Sequence, residues 1–137
     1  MPLHPTALGV DLGSIEAVCD ARWLMAYAAG VPDERPEFYD TTALAVHPLF
    51  PVAPEWELVM TARSAYGGLT PDEVRRGIHV EHDLVLHRAI RAGERVRVSA
   101  RVTAVGRRRA GATQRTLFTA TDEQGEVVWR TAMGSLY

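Results

Sequence analysis

Proton transfer and ligand binding in this chain must come from a short set of side chains. All 15 basic residues are arginines, so no lysine is available for Schiff-base or general-base work. Five histidines can move protons near neutrality or hold a metal. His79, His82 and His87 invite a metal reading, but His82 and His87 are five apart on an expected strand and face opposite sides of a sheet. His79 and His87 share a face yet stand about 25 Å apart at strand rise, so one chain builds no compact site from them. His47, before Pro48, reads as an exposed loop residue. Asp33, between Pro32 and Glu34, has the setting of a turn former, and Asp40 before Thr41-Thr42 that of a helix cap. Arg107, Arg108 and Arg109 form a dense positive run expected in a solvated loop.

At 137 residues the chain is expected to be one domain, with residues 1–13 as an N-terminal arm. An apolar fraction of 47%, with 23% charged residues, is that of an ordinary soluble protein. A net charge of −2 argues against nucleic acid as the main ligand, because phosphate binding needs a concentrated positive field. The lone Cys19 has no internal disulfide partner, which points to a reducing cytoplasm. The start of the chain lacks the basic-then-apolar pattern of a signal peptide, and no run approaches the ~20 apolar residues of a membrane span.

The element that organises the rest is Val52 to Gly67, read as the one well-buried helix. Pro54 suits its first turn, Glu55 and Glu57 favour the positive end of the helix dipole, and Gly67-Gly68 stops it. Trp56, Val59, Met60, Ala62 and Tyr66 fall on its apolar side, with Glu57, Thr61 and Ser64 pointing elsewhere. Upstream, the arm leads into a short strand. Ile15–Gly30 is dense enough in apolar residues for a helix, with Asp20 as N-cap before Ala21–Ala29. Four prolines between Val31 and Pro51 prevent long regular structure. Thr70 to Glu73 reads as a helical turn. From Gly77 the period becomes two: strands are expected over 79–90, 95–105, 113–121 and 127–136, with turns at 91–94, 106–111 and 122–126.

Three stretches carry a resemblance to a known family: Tyr27 to Asp40, Val52-Ala53-Pro54, and His79-Val-Glu81-His82 through Glu94. They resemble the MaoC-like dehydratase group, which includes R-specific enoyl-CoA hydratases and 3-hydroxyacyl thioester dehydratases. The resemblance covers most of residues 15–137. It implies an α+β hotdog fold, a curved antiparallel sheet wrapped around one central helix. It implies a coenzyme A or acyl-carrier-protein thioester as substrate, with no further cofactor and no metal.

Catalytic members carry a motif like Gly-Asp-x-Asn-Pro-hydrophobic-His, whose carboxylate and imidazole hold the water added to, or lost from, the double bond. On that pattern Asp33 takes the Asp position and Pro36 the Pro position, but Arg35 replaces Asn and Phe38 replaces His. Phenylalanine cannot move a proton. His47 is then the best remaining candidate for a relocated imidazole beside Asp33. At the helix start, where relatives have a glycine-containing turn that binds the thioester carbonyl, Ala53-Pro54 removes one donor and leaves the Ala53, Glu55 and Trp56 amides. Arg107, Arg108 and Arg109 could meet the phosphates of coenzyme A or an acidic carrier protein.

The pattern resembles the non-catalytic halves of the group, which shape the acyl tunnel while a partner hotdog supplies Asp and His. Two alternatives stand beside that reading. One is a self-sufficient homodimeric hydratase using Asp33 and His47, or a thioesterase using a carboxylate such as Asp33 or Glu55. The other is a non-catalytic acyl-thioester-binding hotdog. All three imply a homodimer or a heteromer with a second hotdog, because a single sheet exposes an edge.

Overall fold

The structure is a computed structural model that describes residues 7–61 and 70–137. It begins with strand β1 (Asp11–Val18), followed by helix α1 (Ala21–Gly30). Helix α1 starts at Ala21, directly after the expected Asp20 cap, and the apolar residues from Ile15 to Val18 that precede the cap belong to the strand. Ile15 and Ala17 pair with Val98 and Val96 across an antiparallel ladder, with an irregularity between Asp11 and Ser14. That break hides the period-two pattern from a sequence reading, and strand pairing outweighs local helix preference. Asp20 caps α1 as expected, its carboxyl accepting the Trp23 N–H at 3.0 Å. Gly30 closes the helix, and the Val31 N–H returns to the Tyr27 carbonyl.

The proline-rich segment contains one 3₁₀ turn (Pro36–Phe38). Asp40 does not cap a helix. Its Oδ1 accepts from the Thr42 N–H and hydroxyl, closing a local turn ten residues before the next helix begins. Helix α2 (Val52–Thr61) and the short α3 (Pro71–Arg76) follow. The expected stop at Gly67-Gly68, and the residues Ala62, Ser64 and Tyr66, lie outside the described residues. Arg75 pairs with Asp72 on α3.

Four further strands complete the sheet: β2 (Ile78–Leu86), β3 (Arg95–Arg108), β4 (Gly111–Thr121) and β5 (Val127–Leu136). All neighbours are antiparallel, in the order β1-β3-β4-β5-β2, so β1 and β2 form the edges. Strand β3 runs three residues further than its alternation predicts. Arg107 and Arg108 pair with Ala112 and Gly111, which leaves Arg109 and Ala110 as the turn. Gly125, at φ +85°, supplies the left-handed position of the last hairpin, as its place in Asp122–Glu126 requires. Arg88 ties the sheet's loops together, bonding both Glu94 and Asp122.

The register stacks inward-facing side chains in rows across the sheet. One row runs Val98, Ala120, Trp129, Leu86; the next Ala100, Phe118, Thr131, Leu84; the third Val102, Thr116, Met133, His82. Helix α2 packs across β1 and β3, and Leu58 and Val59 join Phe118 and Trp129 in one core cluster. Burial of each large apolar side chain in that cluster is worth about 1.5–3 kcal/mol. The buried face of α2 is Pro54, Glu55, Leu58 and Val59. This corrects the expectation for Trp56 and Met60, which are each 46% exposed, and it turns Glu55 inward. Among the described residues no helix is long and apolar enough to cross a membrane.

Candidate functional site

The loop after α1 brings together Asp33 and His47, fourteen residues apart in sequence. His47 Nε2 stands 3.4 Å from Asp33 Oδ2. His47 is not an exposed loop residue; it is buried, its ring 5.2 Å from Phe38 and 5.7 Å from Tyr27. Its Nδ1 accepts the Leu49 N–H at 3.1 Å, so in the neutral ring Nε2 carries the proton.

Asp33 is held from the other side by Arg35. The guanidinium Nε lies 3.0 and 3.1 Å from its two carboxyl oxygens, and Nη2 lies 2.7 Å from Oδ2. The hydrogen bond from Arg35 is the largest cause holding the Asp33 carboxyl at about 2; the Arg35 backbone N–H and the nearby positive charge act in the same direction. A carboxylate so stabilised is a weak base. The same guanidinium lies 4.6 Å over the Phe38 ring, and Phe38 is only 4% exposed. In the motif position where a catalytic imidazole would stand, the chain has a buried hydrocarbon ring covered by a cation. Tyr39 adds a further tie, its hydroxyl donating to the Asp33 carbonyl at 2.6 Å.

Two of the three amides expected to be open at the start of α2 already have partners. The Ala53 N–H bonds the Phe50 carbonyl and the Glu55 N–H bonds the Pro51 carbonyl, so both donors are engaged in the first turn. The Trp56 side chain points outward. Arg107, Arg108 and Arg109 line a cavity of about 300 Å³ with Gly111, Ala112 and Tyr137, and neither Asp33, His47 nor Glu55 contributes to it.

A second polar cluster lies beneath α2. The Glu55 residue is 2% exposed, and its Oε1 accepts from Trp129 Nε1 at 2.9 Å and from the Thr131 hydroxyl at 2.5 Å. His82 Nε2, from the edge strand β2, is 3.4 Å from Glu55 Oε2. Tyr27 links the two clusters: it touches His47 and Phe50, and its phenol is pushed up first by burial and then by the charge of Glu55. Histidine spacing alone does not single out His82. The available signal was His82 sharing strand parity with Leu84 and Leu86, together with a glutamate three and four residues before Leu58 and Val59 on a helix. Among the described residues no group of three or more His, Cys, Asp or Glu is arranged to hold a metal ion.

Comparison with known proteins agrees with this architecture. One structural match is the C-terminally truncated HadBC (3R-hydroxyacyl-ACP dehydratase) complex of Mycobacterium tuberculosis, at TM-score 0.82 and 14% identity, covering 96% of this chain and 97% of that one. Another is a MaoC-like dehydratase of Rhodospirillum rubrum, at TM-score 0.70 and 21% identity, covering 95% and 92%. The ChsH1-ChsH2 complex of M. tuberculosis matches at TM-score 0.65 and 17% identity, covering 95% and 98%. At these identities the matches establish a shared hotdog fold. A search of curated proteins found no match. The family model for the FAS1-like, dehydratase domain region matches residues 6–131, nearly the whole chain, and the chain belongs to that family.

Proposed function

We propose that this chain is one half of a two-hotdog acyl-thioester hydratase or dehydratase, shaping the acyl pocket while a partner hotdog supplies the catalytic carboxylate and imidazole. The observation that carries the reading is the buried Phe38 under Arg35, in the position of the family's histidine. The capture of Asp33 by Arg35 and the engagement of the Ala53 and Glu55 amides point the same way. A partner hotdog is supported by the free edge of β2, whose Ile78, Val80, Val85 and Leu86 are exposed, and by Trp56 and Met60 on α2. Two structural neighbours that share the fold, HadBC and ChsH1-ChsH2, are named as complexes. The substrate in this reading is a coenzyme A or carrier-protein thioester, whose phosphates or acidic carrier would meet the positive charge of Arg107, Arg108 and Arg109, which line one cavity at a hairpin.

The test is to purify the chain alone and with a co-expressed hotdog partner, and to assay hydration of crotonyl-CoA and a longer enoyl-CoA. Activity only in the complex, unchanged by Asp33→Ala in this chain and lost with the partner's catalytic pair, is the expected result. A second reading, a self-sufficient hydratase, is favoured by the 3.4 Å approach of His47 to Asp33. Hydration by the chain alone, abolished by Asp33→Ala and by His47→Ala, would establish it in place of the first.

A further inference from the structure

Residues directly opposite one another in a sheet share a face, so the register that aligns the core also orders the side chains on the other side. Between the buried Val96, Val98, Ala100 and Val102 of β3 stand Arg95, Arg97, Ser99 and Arg101. Arg115 stands between the buried Gln114 and Thr116 of β4, and Arg130 between Trp129 and Thr131 of β5. These arginines are exposed, on the side of the sheet away from α2, whose Leu58 and Val59 pack among the buried residues. Strands β3, β4 and β5 contain no aspartate or glutamate. The edge strands carry them on this face: Glu16 and Asp11 of β1 stand opposite Arg97 and Arg101, and Glu81 and Asp83 of β2 opposite Gly134 and Ala132. The outer face is thus a positive band between two acidic margins. Arg115 reaches Glu81 at 3.5 Å, while Arg95 only approaches Glu16 and Glu123, at 4.0 and 3.8 Å. Arg97, Arg101 and Arg130 form no ion pair among the described residues. Self-repulsion in such a band works against folding, and an anionic partner relieves it.

The dimensions select the partner. From β3 to β5 the band is two strand spacings wide, about 10 Å, and the Cα atoms of Arg97, Arg101 and Arg130 stand about 12–13 Å apart by strand rise and spacing. An α-helix is about 10–12 Å across, and carboxylates seven or eight residues apart on one of its faces recur every ~10.5–12 Å. A nucleic acid or an anionic bilayer extends beyond the band and would lay its phosphates against Asp11, Glu16, Glu81 and Asp83. The aromatic side chains of these three strands, Phe118 and Trp129, both lie in the core, which leaves the face none to enter a bilayer. We propose that the outer face of the sheet is a docking surface for an acidic helix of a partner protein, laid along the band formed by β3, β4 and β5. A second hotdog pairing along the edge of β2 would extend the sheet sideways and leave this face open.

The test is fluorescence anisotropy with two labelled helical peptides of about 21 residues and one composition. One carries glutamates seven residues apart along a single face; the other has the same glutamates spread around the helix. Each is titrated with the full chain, alone and with its hotdog partner, beside duplex DNA and vesicles of phosphatidylserine and phosphatidylcholine. The one-faced peptide is expected to bind about tenfold or more tighter than the spread one. Combining Arg97→Gln, Arg101→Gln and Arg130→Gln is expected to weaken it at least about tenfold. Combining Arg22→Gln, Arg76→Gln and Arg91→Gln, at exposed positions outside the sheet, removes the same charge and is expected to change it no more than about twofold. All six substitutions alter exposed side chains, and an unchanged thermal unfolding midpoint verifies that both triple variants are folded. Equal binding of the two peptides overturns the proposal, and so does equal weakening by the two triple variants. Preference for DNA or vesicles over the one-faced peptide overturns it in favour of those surfaces. Absence of peptide binding in both forms of the protein overturns it as well, and each of these outcomes leaves the acyl-pocket reading standing.

Discussion

Glu55 provides the sharpest test of the interior. Glu55→Ala removes the acceptor shared by Trp129 Nε1 and the Thr131 hydroxyl and leaves a gap between α2 and β5. The indole N–H can only donate, and in a site this buried its loss of a partner costs about 1–3 kcal/mol. The threonine hydroxyl can rotate towards another acceptor, so its share is about 0.5–1.5 kcal/mol. With the cavity added, the total is about 3–5 kcal/mol, the range found when one member of a buried polar pair is deleted. Glu55→Gln keeps an oxygen at Oε1 for both donors and should cost no more than about 1.5 kcal/mol. Urea unfolding followed by tryptophan fluorescence separates the two, because Trp129 is fully buried. An alanine variant within about 1 kcal/mol of the glutamine variant, at unchanged slope, would refute the argument that Glu55 Oε1 holds β5 against the helix.

Other consequences are as direct. The Asp33 carboxyl should titrate near 2 by carbon NMR, and Arg35→Ala should return it towards the ordinary aspartate value. A folded-state value below the unfolded one means that the contribution of Asp33 to stability is present above about pH 4 and fades as the pH falls towards 2, and Asp33→Asn should flatten that part of the profile. Cys19 is fully buried and its thiol is pushed up to about 12, first by burial and then by Glu94 and Asp20. It should therefore resist a disulfide reagent at pH 8 in the native protein and react promptly in denaturant. Gly111 sits at φ +152°, and a Cβ there would run into the Tyr137 carbonyl, whereas one at Gly125 meets nothing. Gly111→Ala should cost about 1–2 kcal/mol more than Gly125→Ala in thermal unfolding, the strain of the clash beyond the shared cost of positive φ.

Much of this protein was determined by sequence alone, where local chemistry decides. The Asp20 cap, the Asp122–Glu126 hairpin and strand β5 stand where composition and period two place them, because a cap or a tight turn depends on a few neighbouring side chains. The motif from Asp33 to Phe38 was equally legible, including its missing histidine. Tertiary structure decided the rest. Pairing with β3 makes residues 15–18 a strand, and pairing with β4 carries β3 through Arg107 and Arg108. The orientation of α2 buries Glu55 and exposes Trp56, against the order of hydrophobicity, since only the facing residues Trp129, Thr131 and His82 make an inward carboxyl tolerable. The meeting of Asp33 with His47, and of Glu55 with His82, joins residues 14 and 27 positions apart. No local pattern encodes such a meeting, because it depends on where the sheet and the proline-rich loop return the chain.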